Sequence, residues 1–104
     1  MILITGRVVI KVEDREAFLK SAISQVNNSR AEEGCLYYSC NEDVMAPNEF
    51  LFVEHWKDPE AVKTHFEKDY CGAFVREMKL LAQNKSAIAM HHVSRTDVRY
   101  PGGE

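Results

Sequence analysis

Residues 34–74, GCLYYSCNEDVMAPNEFLFVEHWKDPEAVKTHFEKDYCGAF, decide the fold of this chain. Cys35 to Asn41 and Phe50 to Trp56 read as two strands of a hairpin, with the turn chemistry placed in Ala46-Pro47-Asn48. Asp58-Pro59-Glu60 is a compact helix start. The aspartate caps free amides, proline at the first helical position loses no bond, and the acid suits the positive helix end. The helix that follows is expected to run to about Lys68. It carries His65 three residues after Val62 and four after Ala61, near the apolar stripe of that helix.

Toward the N-terminus, residues 2–12 alternate with a period of two, and Ile2, Ile4, Gly6, Val8, Ile10 and Val12 form one wholly apolar face of a first strand. Asp14 then offers an N-cap oxygen. Phe18, Leu19, Ala22, Ile23 and Val26 recur at helical steps, predicting an amphipathic helix that ends near Gly34. Beyond the central stretch, a break is expected over Asp69–Gly72, and Phe74, Met78 and Leu81 then predict a third helical segment. Ser86 to Val93 alternates as a last strand, and residues 95–104 read as a tail.

The order β-α-β-β-α-α-β corresponds to an α+β fold of the ferredoxin-like split βαβ type, an antiparallel sheet with helices on one face, spanning residues 1–94. Strand residues of the opposite parity, such as Val9, Leu51 and Val53, leave a second apolar face. Covering it calls for another copy of the chain, so a homodimer is expected.

With 104 residues the chain fits one domain that buries roughly two thirds of its unfolded surface. It is 45% hydrophobic and 28% charged with a net charge of -3, which gives no electrostatic pull toward nucleic acid or anionic lipid. Arg7 interrupts the first apolar run well short of a membrane span, and a cytoplasmic protein is expected. Cys35, Cys40 and Cys71 are an odd set without metal-like spacing. Cys35 and Cys40, five apart on a strand, are expected on opposite faces, so buried thiols are the preferred reading over a redox pair.

Taken together, Gly34 opening a strand, Glu54 and Trp56 closing a hairpin, and Ala61 with His65 on a short helix form a pattern. It resembles the antibiotic biosynthesis monooxygenase domain, a family of small proteins that form a dimeric α/β barrel. The resemblance implies that fold, a homodimer and, in part of the family, oxygenation without a bound cofactor. Two departures stand out. Many relatives carry a second histidine five residues after the helix histidine, where this chain has Tyr70. The haem-degrading branch resembles a pattern of asparagine, tryptophan and histidine where this chain has Gly6, His65 and Val75, which disfavours haem degradation.

Among individual residues, His65 is the candidate general base, since an imidazole titrates near ~6.5; the alternative is a histidine bonded to the sheet at the edge of the core. Glu54, among Phe50, Phe52 and Trp56 on one strand face, is either a proton donor of raised pKa or a structural partner of Arg7 or a backbone amide. Trp56, Phe66, Tyr38, Tyr70 and Phe74 are the candidate substrate contacts, with Tyr37 a further one and packing the simpler role of each. His91 and His92 face opposite ways on a strand, so no metal site is expected. No phosphate loop, dinucleotide fingerprint or nucleophile elbow is present, and no cofactor is expected.

These readings converge on a monooxygenase that oxidises a small aromatic phenol or quinol with dioxygen, His65 taking the phenolic proton. Two alternatives stand beside it. One is processing of a phosphorylated quorum-sensing signal, with Arg7, Lys63 or Arg76 as the phosphate anchor. The other is a non-catalytic, ligand-binding or stress-associated dimer.

Overall fold

The computed structural model describes residues 1–83 and 87–102. Its elements are β1 (Ile2–Val9), α1 (Arg15–Arg30), β2 (Cys35–Asp43), β3 (Ala46–Trp56), α2 (Pro59–Glu67), α3 (Asp69–Leu81) and β4 (Ile88–His92). The order is the β-α-β-β-α-α-β expected from the sequence. All pairings are antiparallel and the sheet runs β2-β3-β1-β4. The α+β, ferredoxin-like reading therefore holds for the single chain.

Period-two alternation sets the layering. Ile2, Ile4 and Val8 of β1 and Phe50, Phe52, Glu54 and Trp56 of β3 all point to the helix-covered side and are buried. Phe18 of α1 docks on this face with no exposed surface, its ring 4.5 Å from that of Phe50. Burying such rings removes the area that drives the layers together, about 25 cal/mol for each Å². Leu51 and Tyr37 lie on the opposite face, which no helix among the described residues covers, and both are exposed.

Local geometry differs from the sequence expectations at several points. β1 ends at Val9, because residues 12–14 form a 3-10 turn; Ile10 is bridged to Ala82 and its amide donates to the Asn48 carbonyl at 2.9 Å. Asp14 makes no side-chain cap, having already adopted helical dihedrals in that turn. Helix α1 stops at Arg30 rather than near Gly34. Ile23 is exposed, and the buried stripe is Phe18, Ala22, Gln25 and Ser29.

The hairpin turns at Val44-Met45, both almost fully exposed, and Ala46-Pro47-Asn48 belongs to β3. The irregular residues there make a bulge instead of a turn. The pairing jumps from Asp43↔Ala46 to Glu42↔Phe50, and Asn48 takes φ 68° to absorb the extra length. Asp58 does cap α2, accepting from the Ala61 amide at 2.8 Å, and Pro59 stands at the first turn. The break before α3 is one extended residue, Lys68, so Asp69–Gly72 form the first turn of α3.

A second bulge, between Cys35 and Tyr37, reverses strand parity. Cys35 pairs with Trp56 and Cys40 with Phe52, so both cysteines face the core rather than opposite sides. The last strand occupies Ile88–His92, and the start expected at Ser86 lies outside the described residues. His92 pairs with Ile2 and His91 with Leu3, on opposite faces. The end of the expected tail, residues 103 and 104, also lies outside the described residues.

Candidate active site

His65 sits where three constraints meet. The Asp58 cap fixes the start of α2, and the helical period then turns Ala61, Val62 and His65 inward together. Gly34 lets the helix come this close: a Cβ on Gly34 would lie 2.3 Å from the Ala61 Cβ. Trp56, at the end of β3, supplies a floor, its ring 4.3 Å from the imidazole. The result is a histidine only 1% exposed with both ring nitrogens partnered.

Nδ1 lies 2.7 Å from Glu32 Oε2, and the Tyr70 hydroxyl donates to that same oxygen. A carboxylate on Nδ1 fixes the tautomer, placing the N–H there and the free lone pair on Nε2. Nε2 stands 3.8 Å from Glu54 Oε1 and 3.6 Å from Cys71 Sγ. Glu54 Oε1 in turn accepts from Trp56 Nε1 at 2.8 Å, rather than pairing with Arg7, which bonds Glu49. Burial pushes the Glu54 carboxyl above its ordinary range, opposed by the Trp56 bond and the His65 charge. Burial likewise raises the Tyr38 phenol and the Cys71 thiol.

His65 lines a cavity of about 590 Å³ between the sheet and α3, as do Glu54 and Cys71, the two neighbours of its Nε2. His65, Glu54, Tyr38, Gln25 and Cys71 form its polar end; Phe52, Phe66, Phe74, Met78 and Ile4 form apolar walls. This is the usual size and character of a site for a small organic molecule.

The structure thus brings His65, Glu54, Tyr38, Phe66 and Phe74 to one cavity. Trp56 and Tyr70 stand behind the imidazole, one stacked on it and the other bonded to its carboxylate partner, and neither lines the cavity. Tyr37 is on the other face of the sheet, beside His55. Sequence reasoning missed Glu32, Gln25 and Cys71. Gln25 carried a signal, since a polar residue at helical spacing from Phe18 and Ala22 lies on the buried stripe. Among the described residues no group of three or more His, Cys, Asp or Glu side chains is arranged to hold a metal ion, and no helix is long and apolar enough to cross a membrane.

A Bacillus subtilis protein provisionally named the monooxygenase YcnE is 42% identical over 81 residues, covering 78% of this chain and 85% of its own. The Synechocystis protein sll1783 is 30% identical over 95 residues, 91% of this chain; the match spans only 65% of that longer protein. In three dimensions, a Deinococcus radiodurans protein provisionally named an antibiotic biosynthesis monooxygenase superposes with a TM-score of 0.89 at 23% identity, over 96% of this chain and 99% of that one, a likeness of fold. The sequence model of the antibiotic biosynthesis monooxygenase family matches residues 1–77, and the chain belongs to that family.

Proposed function

We propose that this chain is a homodimeric monooxygenase that oxidises a small phenol or quinol with dioxygen, drawing the electrons from the substrate itself. The observation that carries the reading is the orientation of His65. Its Nδ1 is anchored on Glu32, and its Nε2 lies beside Glu54 and Cys71, which line an aromatic-walled cavity with it.

In this scheme the ring lies among Phe52, Phe66 and Phe74, and Nε2 takes the phenolic proton, a step worth about 10²–10⁴ in rate. Glu32 stabilises the imidazolium so formed. The phenolate passes electrons to dioxygen, and a C–O bond forms at an activated ring carbon, giving a peroxide. Glu54, whose carboxyl burial raises above its ordinary range, stands to donate to the distal oxygen as the O–O bond breaks. The hydrogen on that ring carbon returns to Glu54 as a proton, the proton held by His65 completes the water that leaves, and the other oxygen stays on the ring as a quinone carbonyl. Phenol plus dioxygen equals quinone plus water, so no outside reductant enters.

The lining argues against a phosphorylated substrate. The cavity wall carries Arg7 and Lys79, but Arg7 is already paired with Glu49, and the rest is largely apolar. A phosphate calls for converging unpaired cations.

Dioxygen uptake by purified, metal-free protein against hydroquinones, catechols and naphthols tests the reading, with His65→Gln alongside after circular dichroism has shown it folded. Turnover that falls about a hundredfold in the variant is expected. Absence of turnover with the whole panel, or an equally active His65→Gln, overturns it.

A further inference from the structure

The oxygenation scheme uses the imidazole and both carboxylates but gives no task to the thiol beside them. Cys71, in the first turn of α3, places Sγ 3.6 Å from His65 Nε2, and Glu32 holds Nδ1 at 2.7 Å. Thiol, imidazole and carboxylate therefore stand in the order that base-assisted nucleophiles share. Cys35 and Cys40 are different: both pack against the core from β2, and among the described residues neither is hydrogen-bonded to a base.

We infer that Cys71 is a covalent capture site for flat, conjugated carbonyl compounds, quinones first among them. Three features select that class. The walls beside Sγ, Phe52 and Phe74 among them, suit a planar apolar ring. Gln25, almost fully buried, donates from Nε2 to Sγ at 3.9 Å and to the Tyr38 hydroxyl at 3.3 Å, so a carbonyl oxygen seated beside the thiol can take over the long N–H contact to sulfur. The base next to the thiol then allows attack without a free thiolate.

The chemistry balances within the pair. Sγ bonds to the ring carbon β to a carbonyl, the π electrons shift onto the carbonyl oxygen, the thiol proton passes through His65 to that oxygen, and the hydrogen on the attacked carbon then moves as a proton to the second carbonyl oxygen. The quinone is reduced to a hydroquinone thioether, and nothing leaves. Burial holds the resting thiol protonated, so reaction waits for an electrophile seated in the cavity. The source of the quinone rests on the oxygenase reading, in which the protein's own product becomes its covalent inhibitor; the thiol site itself does not depend on it.

Anaerobic incubation of the full chain with one equivalent of 1,4-naphthoquinone, followed by intact and peptide mass spectrometry, tests the inference. One adduct is expected, on Cys71, forming about tenfold or more faster than on Cys35 or Cys40, slowed by a similar factor in His65→Gln and absent from Cys71→Ser. Where His65→Gln does not fold, Glu32→Gln gives the same readout. Labelling spread evenly over the three cysteines, Cys71 left unlabelled, or an unchanged rate in a folded variant overturns it. Since no dioxygen is present, the outcome is independent of whether the protein turns over a quinol.

Discussion

The imidazole of His65 lies against the indole of Trp56 with ring centroids 4.3 Å apart and planes at 33°, and both rings address one carboxylate. Trp56 Nε1 donates to Glu54 Oε1 at 2.8 Å while His65 Nε2 stands 3.8 Å from the same oxygen. Trp56→Phe keeps an aromatic floor but leaves a void and strips Glu54 of its donor. The expected loss is about 2–4 kcal/mol of unfolding free energy in urea titrations, part packing and part unsatisfied carboxylate. A loss below about 1 kcal/mol would show that the pair is not coupled as drawn.

Glu54 also sets a pH dependence. Burial raises its folded pKa above the ordinary 4.5, so the folded state holds a proton that the unfolded chain has released. Its contribution is fully present below about 4.5 and is lost as pH rises through the folded value. Glu54→Gln removes that loss. The stability of wild type relative to the variant is therefore expected to fall with rising pH above the carboxylate range. Glu42 behaves in the opposite sense: its bond from Arg15 lowers it to about 2, so its contribution is present above 4.5 and lost as pH drops toward that value. Denaturation of Glu54→Gln and Glu42→Gln at several pH values checks both signs, and parallel curves with wild type would refute them.

Much of this was legible in sequence, and the failures have physical causes. Asp58-Pro59 announced α2 because its signal is local, one cap oxygen and one ring. Alternation announced β1 and β3 because a half-buried sheet imposes it. The two bulges of the hairpin were not legible, since each is fixed by cross-strand pairing: Ala46-Pro47-Asn48 has the composition of a turn but is stretched along β3. The bulge after Cys35 shifted the parity from which cysteine faces were read. In the site, His65 and Glu54 declared themselves by their apolar neighbours. Glu32 did not, because it lies on a polar loop 33 residues from His65 and acquires its role only when β2 and α2 close on it.

The close approach of that loop to α2 gives a test through backbone packing. A Cβ at position 34 would meet the Ala61 Cβ at 2.3 Å and its Cα at 3.3 Å, so Gly34→Ala must push α2 away. The expected cost is about 1–3 kcal/mol by chemical denaturation. Ala61→Gly in the same chain should recover most of it. Equal stability of the single and double variants would mean that the strain lies elsewhere.

The uncovered sheet face bears on assembly. Leu51 and Tyr37 are exposed there, and Tyr37 leans on His55 with ring centroids 5.1 Å apart, so apolar and aromatic surface is presented without a covering layer. If two copies cover one another through this face, Leu51→Asp buries an unpaired charge in the contact. Sedimentation velocity should then show a dimer for wild type and a monomer for the variant. A wild-type monomer at micromolar concentration would remove the homodimer from the proposal.

Glu32 provides the sharpest test of the catalytic scheme, because it touches the imidazole without facing the substrate cavity. Glu32→Gln preserves size and an acceptor oxygen but loses the charge that stabilises an imidazolium and no longer dictates the tautomer. It also relieves the Tyr70 phenol, whose pKa is raised by burial and by its bond to Glu32. The expected result is a fall in kcat of about 10²-fold with KM nearly unchanged, since Glu32 supports the proton transfer and not the binding of the ring. A variant that raises KM alone would make Glu32 a structural support of the cavity, and His65 would then lose its claim to act as an oriented base.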